Sequence, residues 1–315
     1  MAGHAHSVAM MSGDTTEWPD GAEKIGSLFR LPSPVEELVD SRLQARGVRL
    51  LLKRDDLINP DIPGNKWRKL KYNMQAARRY GHKRLLTFGG AYSNHIRATA
   101  AAGFLFGLQT IGIIRGEKRL PLNPVLAYAV EHGMILDYMD RQTYRRKRER
   151  EVIEALRDRF GDFYLVPEGG SNELALRGCA EIPGEITEDF NFICCPCGTG
   201  GTLAGIAAGL RGDQEAIGFA VLKGADWLND DVLRLQEGAY GGPRGRWRIN
   251  LDYHFGGYAK TKPELWSFIK DFEERHGLCL DWLYVGKMMY GIFDLVERRM
   301  FEPGATIVAV ITGPI

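Results

Sequence analysis

The residues that could do chemistry gather around glycines. Pro63-Gly-Asn-Lys-Trp-Arg-Lys69 opens a helical pattern that continues as KLKYNMQAARRYG. The N-terminus of a helix carries positive dipole and disfavours an ammonium. Lys66, placed there between Gly64 and Trp67, is expected to have a depressed pKa. Its neutral amine is the form that Schiff-base chemistry requires. A second constellation, Cys197-Gly-Thr-Gly-Gly-Thr-Leu-Ala-Gly205, follows the apolar run Phe192–Cys195 and leads into a helix. Gly198, Gly200 and Gly201 let backbone N–H groups converge, and Thr199 and Thr202 add hydroxyls. Together with the helix dipole they form an anion nest suited to a phosphate. It is not a Walker loop, because no lysine follows its last glycine, and its spacing is not GxGxxG. Phe88-Gly-Gly-Ala-Tyr-Ser-Asn-His95 is built the same way. There Ser93 or Asn94 either caps a helix or belongs to a turn that offers N–H groups to a carboxylate. Pro167-Glu-Gly-Gly-Ser-Asn172 repeats that construction.

These turns need strands behind them and helices ahead of them. Short apolar runs read as strands at Arg84–Phe88, Thr110–Ile114, Met134–Tyr138, Phe163–Val166, Phe192–Cys195, Ile217–Leu222 and Thr306–Ile311. Helical patterns lie between them at Asn94–Phe106, Pro124–His132, Tyr144–Phe160, Thr202–Leu210 and Pro263–His276. Continuous rather than alternating apolar strands suit parallel sheets covered on both faces. The alternation of strand and helix gives an α/β, doubly wound architecture, with ligand expected in the crevice at the strand ends. The basic run RRKRER, Arg145 to Arg150, is followed by Glu151 and Glu154. It reads as a solvated, salt-bridged helix face within Tyr144–Phe160.

The 315 residues carry a formal charge of +1, which excludes the basic excess typical of nucleic-acid binding. Hydrophobic and charged fractions of 44% and 26% are globular values. Glycine is in excess, 38 residues or about 12% against roughly 7% on average. The five cysteines, Cys179, Cys194, Cys195, Cys197 and Cys279, do not form a disulfide framework. Cys195-Pro-Cys197 lacks further ligands for a metal, so no metal is expected, and Cys194 and Cys195 read as small apolar residues of a buried strand. The N-terminal stretch has no signal-like apolar core, and His4 and His6 read as part of a mobile tail. The apolar run from Ala98 to Ile114 is interrupted by glycines and too short to span a membrane. A soluble, cytoplasmic protein is expected.

In their order and spacing, GNKWRKL, GGAYSNHIRATAAAG, PEGGSN and CGTGGTLAG resemble the pyridoxal-phosphate (PLP) enzymes of the tryptophan-synthase-β fold type. More narrowly they resemble the group of ACC deaminase, which opens a cyclopropane amino acid, and D-cysteine desulfhydrase. The likeness runs from about Leu51 to the C-terminus. It implies two open, twisted, mainly parallel sheets covered by helices, with PLP in the cleft between two domains. The larger domain would comprise residues 21–69 and 166–315 and the smaller 70–165, with 1–20 a flexible tail. It implies that Lys66 bonds PLP and later moves the α-proton of the substrate. Lys69, Thr199, Gly200, Gly201 and Thr202 would hold the phosphate, and Asn94 the ring hydroxyl oxygen of the cofactor. Ser93 with its neighbours Tyr92, Asn94 and His95 would take the substrate carboxylate. Tyr258, in HFGGYAK, and Tyr284, in LDWLYVGK, would face the reacting carbon, and Thr312 would lie beside the pyridine nitrogen. A hydroxyl there would leave that nitrogen unprotonated, which suits β-elimination better than transamination.

The likeness also implies a homodimer acting on a small amino acid. ACC deaminases have a glutamate after the second tyrosine and an apolar residue at the position of Thr312, whereas this chain has Val285 and Thr312. Thr312 and His95 resemble the desulfhydrase branch. Both branches usually carry glutamine where this chain has Tyr92, and their final glycine pair is here Gly313-Pro314. The expected activity is a D-cysteine desulfhydrase-like α,β-elimination yielding pyruvate, ammonia and sulfide. The alternatives are ACC-deaminase-like ring opening and a non-catalytic protein that binds a phosphorylated ligand.

Overall fold

Three leucines in a row, Leu50 to Leu52, are all buried, which requires apolar cover on both faces of their strand. In the computed structural model, which describes residues 28–62 and 64–313, this strand belongs to a six-stranded sheet of order β1-β2-β10-β7-β8-β9. Its members are β1 (Val35–Leu38), β2 (Arg49–Lys53), β7 (Phe192–Cys197), β8 (Glu215–Ala220), β9 (Arg246–Asn250) and β10 (Thr306–Val310). Only β1 runs antiparallel to its neighbour. A second sheet, order β5-β4-β3-β6, is wholly parallel: β3 (Arg84–Gly89), β4 (Gln109–Arg115), β5 (Ile135–Met139) and β6 (Tyr164–Val166). The α/β class and the two mainly parallel sheets are as expected.

Helices cover both sheets. In chain order they are α1 (Ser41–Gln44), α2 (Asn65–Arg79), α3 (Asn94–Phe106), α4 (Pro124–Glu131), α5 (Arg141–Arg145) and α6 (Arg150–Phe160). Then come α7 (Glu173–Cys179), α8 (Gly201–Gly209), α9 (Leu228–Tyr240), α10 (Pro263–His276) and α11 (Val285–Glu297). Side-chain alternation sorts the core. Leu50, Leu52, Cys194, Ile307 and Ala309 pack toward Leu265, Ile269, Met288 and Ile292 of α10 and α11. Leu51, Ile193, Cys195, Val308 and Val310 pack toward Leu176, Leu203, Ile206 and Val232 of α7, α8 and α9. Cys194 and Cys195 are therefore buried strand residues, as read from the sequence, and the strand sets them on opposite faces. Among the described residues, no group of three or more His, Cys, Asp or Glu side chains is arranged to hold a metal. No described helix is long and apolar enough to cross a membrane.

One expected helix is divided. Tyr144–Phe160 appears as α5 and α6 with a break between them. Asp140 caps α5 by accepting from Gln142 and Thr143 N–H. Within the break Arg146 turns to Glu149 at 2.7 Å, and Lys147 turns inward to Glu168 at 3.1 Å. The basic run still forms exposed ion pairs, Arg150 with Glu154 at 2.6 Å among them. The tail at 1–20, with His4 and His6, lies outside the described residues, as do Pro63 and Pro314.

The strand orders locate the site. In the small sheet, β3, β4 and β5 proceed in one direction and β6 returns to the other side of β3. In the large sheet, β7, β8 and β9 proceed one way and β10 returns to the other side of β7. Each reversal opens a crevice at the carboxyl ends of its two strands. The turns after β3, β6, β7 and β10 carry GGAYSN, PEGGSN, CGTGGT and ITG.

Candidate active site

Lys66 lies in the first turn of α2, half-buried, and its Nζ donates to Asn65 Oδ1 at 2.7 Å. Burial first, and the nearby Lys69 second, push its pKa down to about 7. The expected depression is present, with desolvation rather than the helix dipole as its leading cause. The turn before α2 is forced close to the end of β10. Gly64 has φ +62, and a Cβ built there would sit 1.7 Å from Thr312 O. Only glycine fits such an approach, and it brings Lys66 and Thr312 to one place.

Asn65 Nδ2 in turn donates to Thr202 Oγ1 at 2.8 Å. This bond ties the lysine to the turn after β7. Lys69, one helical turn beyond Lys66, is 3% exposed, and burial lowers its pKa. Its Nζ donates to Gly169 O at 3.2 Å and Ser171 Oγ at 3.1 Å, both in the turn after β6. Ser171 Oγ and Thr199 Oγ1 share a hydrogen bond of 2.6 Å. The N-terminus of α8 opens beside them. A Cβ on Gly201 would come 2.5 Å from Ser171 Oγ and 3.4 Å from Lys69 Nζ. Two hydroxyls and a buried ammonium with only neutral oxygen partners thus surround one helix N-terminus. Such a donor set suits an anion.

The turn after β3 forms another side. Ser93 caps α3, but its Oγ accepts from Ile96 N at a long 3.5 Å, and Asn94 begins the helix. Tyr92 is 65% exposed. His95 is buried, and its Nε2 meets Thr87 Oγ1 at 2.7 Å. Thr87 gives its single proton to Val166 O at 2.8 Å, so Nε2 carries the imidazole proton. Nδ1 is then a bare acceptor with no partner among the described residues. It lies beside Gly170, where a built Cβ would be 3.4 Å away. Burial, then Lys66 and Lys69, keep the ring neutral.

Tyr284 immediately precedes α11, and its ring lies against the turn after β7, 3.6 Å from the position of a Cβ on Gly198. Its turn is fixed by Asp281, whose carboxylate accepts from the N–H groups of Leu283, Tyr284 and Val285 at 3.0, 2.6 and 2.8 Å. Burial raises Asp281 to about 6 against the opposing pull of those bonds. Tyr258 comes from the loop after β9 and meets Tyr284 edge-on, centroids 6.2 Å apart at 67°. Burial, with Tyr258 as neighbour, holds the Tyr284 phenol well above its usual pKa.

A lysine amine poised near neutrality beside an anion nest is matched by the comparisons with known proteins. Residues 27–313 match the family described as pyridoxal-phosphate dependent enzyme. The chain belongs to this family. It is 32% identical over 287 residues to a putative 1-aminocyclopropane-1-carboxylate deaminase of Pyrococcus furiosus, covering 85% of each chain. It is 32% identical to a bifunctional D-cysteine desulfhydrase/1-aminocyclopropane-1-carboxylate deaminase, mitochondrial, of Arabidopsis thaliana, covering 91% of this chain and 77% of that one. A D-cysteine desulfhydrase of Klebsiella pneumoniae is 28% identical, with 91% and 92% covered. Among solved structures, an ACC deaminase homologue superposes with a TM-score of 0.78 at 29% identity, covering 91% and 90%.

PLP is the family's cofactor, and the residues present fit it. The Lys69 ammonium, which has no carboxylate partner among the described residues, the hydroxyls of Ser171 and Thr199 and the space kept open by Gly201 suit its phosphate. Lys66, with its pKa lowered to about 7, fits the amine that a PLP enzyme needs. Several contributors to the site were absent from the sequence reading. Asn65 stands next to Lys66 but is an ordinary helix-start residue until its bond to Thr202 is seen. Ser171 was readable only as part of a glycine turn. Asp281 had a signal, an acidic residue four positions before the first residue of α11, whose side chain can turn back to the N–H groups that follow it.

Proposed function

We propose that this protein is a PLP-dependent lyase that eliminates the β-substituent of a small amino acid, with D-cysteine the favoured substrate. Water and D-cysteine would give pyruvate, ammonium and hydrogen sulfide. The observation that carries this reading is the pairing, one helical turn apart, of a Lys66 amine near neutrality with a buried Lys69 facing the anion nest. In it, Lys69, Ser171, Thr199, Gly200, Gly201 and Thr202 hold the phosphate, Asn94 the ring oxygen, and Thr312 stands by the ring nitrogen. PLP, when bound, supplies an electron sink for charge developing at the α-carbon. Lys66, half neutral near pH 7, takes the α-proton. Ser93, Asn94 and the free N–H groups at the start of α3 receive the substrate carboxylate, with Tyr92 and His95 bordering it. Tyr284 keeps its phenolic proton and so serves as a donor to the departing sulfur rather than as a base. Tyr258, edge-on to Tyr284, borders the same side.

Val285 favours elimination over cyclopropane ring opening. Its side chain is 1% exposed within the core of α10 and α11, so this position offers the substrate no carboxylate. The names of the relatives support the ACC-deaminase reading as the second candidate. Steady-state assays on D-cysteine, L-cysteine and ACC separate them: sulfide with pyruvate from D-cysteine is expected, and 2-oxobutanoate from ACC without sulfide would reverse the order. Lys66→Ala is expected to abolish the visible absorption of bound cofactor and to lower turnover at least about 1000-fold. Full turnover in that variant would refute the assignment.

Two further parts of the reading are proposals of the same kind. The two sheets would mark two domains, 21–69 with 166–315 and 70–165, the borders falling within α2 and β6. A cytoplasmic homodimer would cover apolar side chains left exposed on α3 and α4, such as Phe104 at 69% and Val130 at 46%. Sedimentation of the holoenzyme tests the dimer.

A further inference from the structure

Lys287, in the first turn of α11, is completely buried. Its Nζ donates to His254 O and Gly257 O, each at 2.9 Å, and to no carboxylate among the described residues. These bonds do not rescue orphaned carbonyls. His254 O already accepts from Gly257 N at 3.0 Å, and Gly257 O from Lys260 N at 3.1 Å. A buried ammonium is costly, and an apolar side chain of similar volume would pack there at less expense. What the lysine adds is a link between helix and loop. Burial lowers its pKa to about 8, so it stays mostly protonated at neutral pH.

The loop it grips is strained. Phe255 has φ 52 and Ala259 φ 53, left-handed values unusual for residues with a side chain, and Gly256 and Gly257 between them have φ 97 and 118. Such a backbone persists only where the surroundings hold it. Tyr258 follows Gly257 directly. Tyr284 stands three residues before Lys287 and is set by the Asp281 turn. Lys287 therefore joins the loop that carries one phenol to the helix turn that presents the other.

We propose that Lys287 is a positioning residue: by clamping the loop 254–257 to the start of α11 it holds Tyr258 at its edge-on spacing from Tyr284, and so sets where the two phenols meet the side chain of the substrate. This rests on the functional reading above, and its test separates the two. In the holoenzyme, Lys287→Met is expected to speed hydrogen exchange of the amides at 255–260 about 10-fold or more, leaving the strands of the large sheet unchanged. It is expected to lower kcat about 10-fold with KM within about 3-fold, and Lys287→Met added to Tyr258→Phe should cost less than about 2-fold beyond Tyr258→Phe alone. Unchanged exchange, unchanged kcat, or penalties that multiply in the double variant would each overturn the proposal. Should Lys287→Met not fold, Lys287→Gln, with a shorter stem and one amide donor group, is read by the same measurements, and wild-type exchange in it overturns the clamp. The exchange measurement needs no turnover. Failure to act on D-cysteine thus tells against the reaction, and unaltered exchange against the clamp.

Discussion

Lys66 and Lys69 stand one turn apart on α2, and the charge of Lys69 disfavours a proton on Lys66. For Lys66 the consequence for stability has a definite sign. Its folded pKa is about 7 against 10.5 in a free chain. Below pH 7 both folded and unfolded states carry the proton, and the folded state bears the whole penalty of a desolvated cation. Between pH 7 and 10.5 the unfolded state binds more protons, so stability rises with pH until the penalty is gone. Lys66→Met in cofactor-free protein is therefore expected to raise Tm at pH 6 and to have little effect by pH 10. A Tm gain that does not vary with pH would mean that packing, not charge, limits stability there. The lysine proposed to do the chemistry is thus expected to weaken the empty fold, the usual trade between activity and stability.

At the scale of elements, the site is four strand-end turns held together by side chains from the next helix. Gly201 shows how little space is left. In Gly201→Ala the new methyl would press on Ser171 Oγ and approach Lys69 Nζ. Turning Ser171 Oγ away does not suffice, because its Cβ would lie 2.9 Å from the new methyl, so the turn after β6 must shift and the anion nest loses a partner. Cofactor affinity is expected to fall about 10-fold or more, consistent with the loss of one hydrogen bond to a charged group. Titration of cofactor absorbance checks it, and wild-type affinity would place the phosphate elsewhere. The turns were readable because glycine pairs interrupt apolar runs, and α3 and α10 appear with the boundaries the pattern gave. The break between α5 and α6 was not readable. It depends on Lys147 reaching Glu168, which lies on another element.

For the whole molecule, a buried network anchors the helix that carries Lys66. Arg68, 1% exposed, pairs with Asp55 at 2.7 Å and with Glu185 at 2.7 Å, and Lys53 reaches Glu185 at 2.8 Å and Ser33 O at 2.6 Å. Two cations and two carboxylates balance and join β2, α2 and the segment before β7. Arg68→Ala strands both carboxylates, and denaturant titration is expected to show a loss of about 3–5 kcal/mol. A loss under about 1 kcal/mol would mean that solvent replaces the guanidinium. Burial raises the Glu185 carboxyl, but Arg68 and then Lys53 outweigh it and hold the pKa at about 2, against 4.5 in a free chain. Its contribution is complete above pH 4.5 and is lost as pH falls toward 2.

By itself the sequence determined the α/β class and the turns that open toward ligand, and it singled out Lys66 as the candidate for the reactive amine, because these depend on local periodicity, on glycine and on residue type. Tertiary structure decided which of these turns share one crevice, since strand order and its reversals at β6 and β10 are set by packing between distant segments. It also supplied the bonds of Asn65, Ser171, Asp281 and Lys287 on which their proposed roles rest. Their roles are hydrogen bonds across the fold, and spacing along a chain carries no record of them. The glycine excess divides the same way: some glycines line the crevice, whereas Gly178, Gly205 and Gly209 let α2, α7 and α8 approach backbone to backbone.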